Sequence, residues 1–165
     1  DRGSIYFEYN IPRMGRRADV ILVIDELVFI LEYKTAGSKF AHDARTQVWD
    51  YAIDLKNFQE GSLERIIIPV LVAPSEKDKN CTFNLRHFED DVYEPLQTNN
   101  NRLAEAISLP LAQIPHATIP HSDERDERWA KSGYEPTPTI IEAAVALYEE
   151  NTVEDITTHL SIIQI

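Results

Sequence analysis

"VILVIDELVFILEYK", residues 20–34, decides the fold. Two apolar runs, residues 20–24 and 27–31, are separated only by Asp25 and Glu26. So short a connection predicts a tight antiparallel hairpin, although Asp-Glu is not a favoured turn pair. The second run is apolar on both faces, with Val28 and Ile30 on one side and Leu27, Phe29 and Leu31 on the other. That pattern marks a central strand covered on both sides. Its end carries Glu32 and Lys34, which lie two apart and so share a face.

The hairpin register sharpens this. Residues 24 and 27 flank the turn, so paired residue numbers add up to 51 and Asp19 falls opposite Glu32. Two carboxylates facing each other across a strand pair stand about 5 Å apart at Cβ and repel. Such a pair needs compensation. A hard divalent cation supplies it, since Mg²⁺ is held by one or two carboxylates together with substrate phosphate oxygens.

Outward from the hairpin, "SIYFEYNI" (4–11) has strand composition and "RMGRR" (13–17) reads as a turn. Downstream, residues 38–58 form a helix with Ser38 as N-cap and apolar Phe40, Ala44, Val48, Tyr51, Ala52, Leu55 and Phe58 at helical spacing. Gln47 and Tyr51 share one face of it, with Asp50 nearby. "RIIIPVLVA" (65–73) is a buried strand whose Pro69 predicts an unpaired stretch or a bulge. The order β-β-β-α-β implies a crossover onto a mixed sheet. Beyond it, "CTFNLRH" (81–87) is a short strand and residues 101–114 a helix disturbed at Pro110. Residues 115–138 are a polar, proline-bearing linker, and helices follow at 137–150 and from Thr152.

Asp19, then Glu32-x-Lys34, then Gln47-x-x-x-Tyr51 on the next helix resembles the PD-(D/E)xK nuclease superfamily, and the Gln-x-x-x-Tyr element resembles its RecB-like branch. "FEYNIPRMGRRADVILV" and "GYEPTPTIIEAA" are similar to the N-terminal nuclease-like domain of bacterial nuclease–helicase (P-loop) fusion proteins. The likeness covers residues 5–73 well and 74–165 loosely, apart from a segment near 134–144. Ala18 stands where the superfamily pattern has proline, at a permissive position.

The resemblance implies an α/β fold: a restriction-endonuclease-like mixed β-sheet core flanked by helices, with a C-terminal helical extension. It implies Mg²⁺- or Mn²⁺-dependent phosphodiester hydrolysis of nucleic acid, expected to be DNA. Asp19, Glu32 and the backbone carbonyl of Tyr33 would hold the metal, with Glu8 as an additional ligand. Lys34 would orient the attacking water and offset phosphate charge. Gln47 and Tyr51 would contact the nucleic-acid backbone or steady the site. Arg13, Arg16 and Arg17, in the loop entering the site, would contact phosphates without reading sequence. The domain is then residues 1–115. Residues 116–165 are a linker and helical extension leading to a helicase or ATPase domain absent from this chain.

Each element also has a plainer explanation. Glu-x-Lys can be a surface ion pair, Tyr51 a core residue, Asp50 a helix-surface charge, and the arginines loop solvation. The weight lies in their conjunction. A catalytically inactive module that binds nucleic acid or a partner protein stays open beside the enzyme, as does a structural domain whose carboxylates pair with Arg16 and Arg17.

The length of 165 residues suits one compact domain and a short appended segment. The chain opens at Asp1 without Met and reads as a fragment. No apolar run is long enough to span a membrane. A single cysteine, Cys81, excludes an internal disulfide and makes the cytoplasm the expected compartment. The five histidines lack metal-ligand spacing, and His116 and His121 are expected to be exposed. Trp49 and Trp129 read as packing residues. The net charge of −12 argues against broad nucleic-acid binding, but residues 1–60 hold 8 Lys and Arg against 10 Asp and Glu, so the acidity lies downstream. Help from a missing region, or from a second copy in a homo-oligomer, would then be needed for tight binding.

Overall fold

The computed structural model describes residues 3–34, 42–87, 90–118 and 128–134, the side chain of Arg13 excepted. Its centre is β3 (Leu27–Tyr33), whose first six residues are all buried. The expected hairpin joins it antiparallel to β2 (Arg16–Ile24), and β1 (Gly3–Ile11) pairs antiparallel with β2 on the outside. On the other side β4 (Ile66–Val72) and β5 (Leu96–Thr98) add in parallel, giving a five-stranded mixed sheet in the order β1-β2-β3-β4-β5. The chain is therefore α/β.

Each face of the sheet has its own core. α1 (His42–Phe58) lays Ala44, Val48, Tyr51, Ala52 and Leu55 on Val28, Ile30, Ile67 and Leu71. α2 (Leu103–Gln113) contributes Ala106, backed by Leu103, Ile107 and Leu111, to the opposite face around Leu27, Phe29, Leu31 and Val70. The two sets on β3 are those its alternation predicts. Burying each large aliphatic side chain stabilises by about 1.5–3 kcal/mol. The N-cap at Ser38, the helical position of Phe40, His121 and the helices expected at 137–150 and beyond lie outside the described residues.

Several expectations change. Pro69 sits in regular pairing with β3, opposite Ile30, and makes no bulge there. The reason is the direction of its missing N–H. Ile66 N–H bonds toward β3, at Glu26 O, and Ile67 N–H toward Asp91 O on the far side. Residue 69, two beyond Ile67, also faces that far side, where the ladder is open between the bridge at Val92 and the start of β5. "CTFNLRH" is not a strand but two isolated bridges, at Thr82 and His87. β5 replaces it as the edge strand. Pro110 lies inside α2 and costs it one amide donor, but the helix runs on to Gln113.

The Asp25-Glu26 turn is held from outside. Asp25 has φ +53, a left-handed conformation that Asp tolerates. Its carbonyl accepts from Arg65 Nη1 at 2.6 Å, and Glu26 Oε2 accepts from Ala117 N–H at 2.7 Å. His116, expected in an exposed linker, is half-buried here, with Nε2 3.8 Å from Asp25 Oδ2.

The compact unit extends to Glu135, past the boundary expected at residue 115; the other unit, Pro136–Ile165, lies outside the described residues. Residues 128–134 belong to the first core. Trp129 is 2% exposed and packs in the α1-side cluster, and its carbonyl accepts from Gln59 Nε2 at 3.1 Å. A chain ended at residue 118 is therefore expected to be less stable than one ended at residue 135. The difference is about 3–5 kcal/mol, the usual loss for removing a buried large aromatic, measured by urea unfolding. Equal stability would mean that Trp129 contributes nothing to the core.

Candidate functional site

Where β3 ends, its α1-side face passes from Val28 and Ile30 to Glu32 and Lys34. α1 runs back across that face and brings Gln47 over them. The result is a closed set of hydrogen bonds. Lys34 Nζ donates to Glu32 Oε1 at 3.1 Å and to Gln47 Oε1 at 3.2 Å. Gln47 Nε2 donates to Glu32 Oε1 at 2.9 Å and to the Tyr51 hydroxyl at 2.6 Å. Tyr51, one helical turn on, is 1% exposed, so it steadies Gln47 and does not present itself to a bound strand.

Asp19 completes the group. The pairing of β2 with β3 runs through Val20 opposite Leu31, in the expected register, and the next rung would be Asp19 opposite Glu32. The ladder stops there. Asp19 Oδ2 instead accepts the Tyr33 main-chain N–H at 2.7 Å. A strand residue turns its N–H and C=O to the same side, so the Tyr33 carbonyl also faces the Asp19 side.

The break has a visible cause. On the β1 side, Phe7 pairs with Val20 and Tyr9 with Ala18, but the rung between, Glu8 with Asp19, is not made. Glu8 has φ +50. A non-glycine residue there costs about 1–2 kcal/mol. The side-chain phase also shifts: Tyr6 and Tyr9, three apart, both pack against the same core cluster. In an unbroken strand they would face opposite ways. Such irregularities re-aim side chains beside active sites.

Electrostatics follow from this packing. Glu32 is 6% exposed, and burial pushes its carboxyl above the ordinary range. The Lys34 hydrogen bond pulls it back, the nearby Asp19 charge pushes it up again, and the Lys34 charge and the Asp19 main-chain N–H pull it down in smaller measure. Burial, and then Asp19, also raise the Tyr33 phenol. Glu32 Oε1 receives both donors, whereas Glu32 Oε2 is buried and accepts no hydrogen bond among the described residues.

The remaining expected residues fall outside this group. Glu8 is exposed and pairs with Arg17 Nε at 3.5 Å, which leaves it no contact with Glu32. Arg16 and Arg17 do not lie in a loop. They open β2, opposite Ile11 and Asn10, and both are exposed. Asp50 is exposed beside Met14, Ile53 and Phe58. The turn expected at 13–17 is a short 3₁₀ turn, Pro12–Met14, closed by Gly15 at φ +57. Among the described residues no group of three or more His, Cys, Asp or Glu side chains is placed to hold a metal. The oxygen ligands on offer are Asp19, Glu32 and the Tyr33 carbonyl. Two carboxylates with an orphaned oxygen suit a cation that keeps part of its shell for water and phosphate.

The folded chain holds the Glu32 proton more tightly than the unfolded chain does. Its contribution to stability is therefore full below the ordinary glutamate pKa of about 4.3 and is lost as pH rises through the folded value. Glu32→Gln should abolish that loss. A ¹³C-carboxyl titration of Glu32 should show a raised midpoint, moved further up by Lys34→Met and down by Asp19→Asn. A midpoint indifferent to Asp19→Asn would mean that the two carboxylates are not electrostatic neighbours.

No family model, no curated protein and no solved structure matches this chain.

Proposed function

We propose that the chain is a divalent-metal-dependent nuclease domain that hydrolyses phosphodiester bonds of nucleic acid, with DNA as the expected substrate. The observation that carries this is the Glu32 carboxylate, buried beside Asp19 with Oε2 accepting no hydrogen bond among the described residues. A buried, unsatisfied anionic oxygen is costly, and a cation is the partner its chemistry calls for.

Asp19, Glu32 and the Tyr33 carbonyl would hold Mg²⁺ or Mn²⁺. When bound, such an ion supplies Lewis-acid polarisation of the phosphate and neutralises its charge. The chain's own groups account for the rest. Lys34 carries a positive charge at the rim of the site, with its side chain 22% exposed, where it can face a phosphate oxygen. Its ammonium has three protons, and Glu32 and Gln47 take two of them. The third, without a partner among the described residues, would donate to substrate or orient water. Gln47 fixes the positions of Lys34 and Glu32 at once, and Tyr51 fixes Gln47. Preorganised donors aimed at developing charge are worth about 10²–10³-fold in rate each. Arg16 and Arg17, exposed at the start of β2, would meet the flanking backbone phosphates.

A second class of function, a nuclease-type fold that binds nucleic acid or a partner protein without cutting, is favoured by one observation. No third acidic ligand joins Asp19 and Glu32 among the described residues. Both the nuclease and this module leave a helicase or ATPase domain elsewhere in a longer protein as a proposal carried by the sequence resemblance.

The test is cleavage of supercoiled plasmid and of labelled single-stranded DNA in Mg²⁺, Mn²⁺ or EDTA. Metal-dependent cutting is expected, with Asp19→Asn, Glu32→Ala and Lys34→Ala each lowering the rate at least about a hundredfold and Gln47→Ala lowering it less. Binding of DNA without cutting under either metal would select the binding module. Cutting that survives Glu32→Ala would place the chemistry elsewhere.

A further inference from the structure

The site just described depends on a bend in the β1–β2 hairpin, and one residue remote in sequence spans that bend. The Trp129 ring lies 5.1 Å from the Tyr6 ring and 5.3 Å from the Tyr9 ring. Tyr6 and Tyr9 stand on either side of Glu8, the left-handed residue. Their partners Ile21 and Ala18 stand on either side of Asp19. The indole thus covers, from the α1 side, the single rung at which the ladder fails and β2 parts from β3.

The segment carrying Trp129 is fastened to the body of the fold and not to the hairpin alone. Gln59, fully buried, donates from Nε2 to the Tyr9 hydroxyl at 2.9 Å and to the Trp129 carbonyl at 3.1 Å. Ser62 Oγ accepts from the indole N–H at 3.2 Å and donates to Gln59 Oε1. Gly61 N–H donates to Ser132 Oγ at 3.1 Å, and Glu60 N–H to Gly133 O at 2.9 Å. One connected set of bonds therefore ties the end of α1, the turn after it, the segment 128–134 and Tyr9 of the hairpin.

A left-handed non-glycine residue persists only where its surroundings over-determine it. Glu8 itself is exposed, and its ion pair with Arg17 is a surface one, of a kind worth about 0–1 kcal/mol. The side chains packed at the bend are the half-buried Tyr6 and Tyr9 and the buried Trp129. We propose that Trp129 is a positioning residue for Asp19: it clamps the hairpin at its break, so that the Asp19 carboxylate stays on the Tyr33 N–H and beside Glu32. The importance of this for catalysis rests on the nuclease function proposed above, but the positioning itself is testable without it.

The experiment compares the wild-type chain with Trp129→Leu, which keeps apolar bulk, and Trp129→Phe, which keeps an aromatic ring. Amide hydrogen exchange and Mn²⁺ titration are both measured. In Trp129→Leu the Tyr33 amide should exchange about tenfold faster or more, while Phe29 and Ile30 amides, within the sheet core, keep their protection. Mn²⁺ should bind about tenfold more weakly, a change of about 1.4 kcal/mol. Trp129→Phe should restore most of both. If the leucine variant does not fold, Ser62→Ala unfastens the indole without opening a large cavity and should act in the same direction. Uniform acceleration of all sheet amides would reduce Trp129 to a core residue and overturn the assignment. So would an unchanged Tyr33 amide. A wild type that binds no Mn²⁺, with Tyr33 still answering to Trp129, would remove the metal site and leave the positioning role standing.

Discussion

Everything near the end of β3 is organised around one burial: a glutamate carboxylate set against an apolar sheet face. Glu32 extends the same face as Val28 and Ile30, both fully buried, and is itself 6% exposed. An isolated charge there would cost several kcal/mol. Lys34 answers part of that cost, but a lysine two residues along the strand can reach only one oxygen. Gln47 supplies the second donor, and it can do so only if α1 lies close over the sheet. Ala44 and Ala52, small and buried on that side of the helix, permit the approach, and Val48 and Leu55 anchor it. The polar network and the packing of α1 are in this sense one constraint. Removing Gln47, or shifting the helix, would leave the carboxylate with Lys34 as its one side-chain donor among the described residues.

The like charge of Asp19 pushes in the opposite direction. Placing it next to Glu32 raises the Glu32 pKa, a cost set against the one hydrogen bond that Asp19 Oδ2 accepts from the Tyr33 N–H. The fold also accepts a left-handed glutamate at residue 8 to put Asp19 there, and it spends a buried tryptophan and a fully buried Gln59 on the surrounding hairpin. Two unfavourable features at one rung, a like-charge pair and a left-handed glutamate, are hard to account for as packing alone. Strain and like charge concentrate where a ligand will meet them. A cation between the two carboxylates would convert the repulsion into shared coordination, which is the physical content of the proposed metal site.

How much of this could be read from the chain alone differs by element. The β2–β3 hairpin was readable because its period-two pattern and its two-residue turn leave one register, and a slip by one residue would bury Asp19 and Glu32 on the wrong face. Glu32, Lys34, Gln47 and Tyr51 were readable as a group because strand and helix spacings are local. The bend at Glu8 was not. No glycine or asparagine marks it, and its conformation is imposed from a distance by Tyr6, Tyr9 and Trp129. β5 is three residues long and follows Pro95, too short for any periodicity, and forms because β4 offers an open edge. Trp129 was readable as a packing residue, as its burial bears out, but its partner at Gln59 was not, and His116 sits among polar residues that suggest a linker while its burial comes from Asp25. Pro69 was readable in part: the unpaired stretch it predicts lies on the side its nitrogen faces, whereas its regular pairing with β3 depends on which neighbour that is.

The same division runs through the site itself. Its chemical groups lie between residues 19 and 51, joined by hairpin and crossover, whereas its shape depends on residues 8, 59–62 and 129–134. Contacts of long sequence separation are the slower and entropically costlier part of a fold. The groups that would do the chemistry can therefore be present, and even hydrogen-bonded to one another, before the hairpin is bent to receive a ligand. Electrostatics adds a second requirement. With a net charge of −12 the chain as a whole repels a polyanion, and only the near-neutral first 60 residues, with Lys34, Arg16 and Arg17, offer it a landing surface. Long-range attraction is weak in such a molecule, so binding must depend on short-range contacts made at the site. That places the burden of affinity on the geometry of Asp19, Glu32 and Lys34, and hence on the tryptophan that holds the hairpin in place.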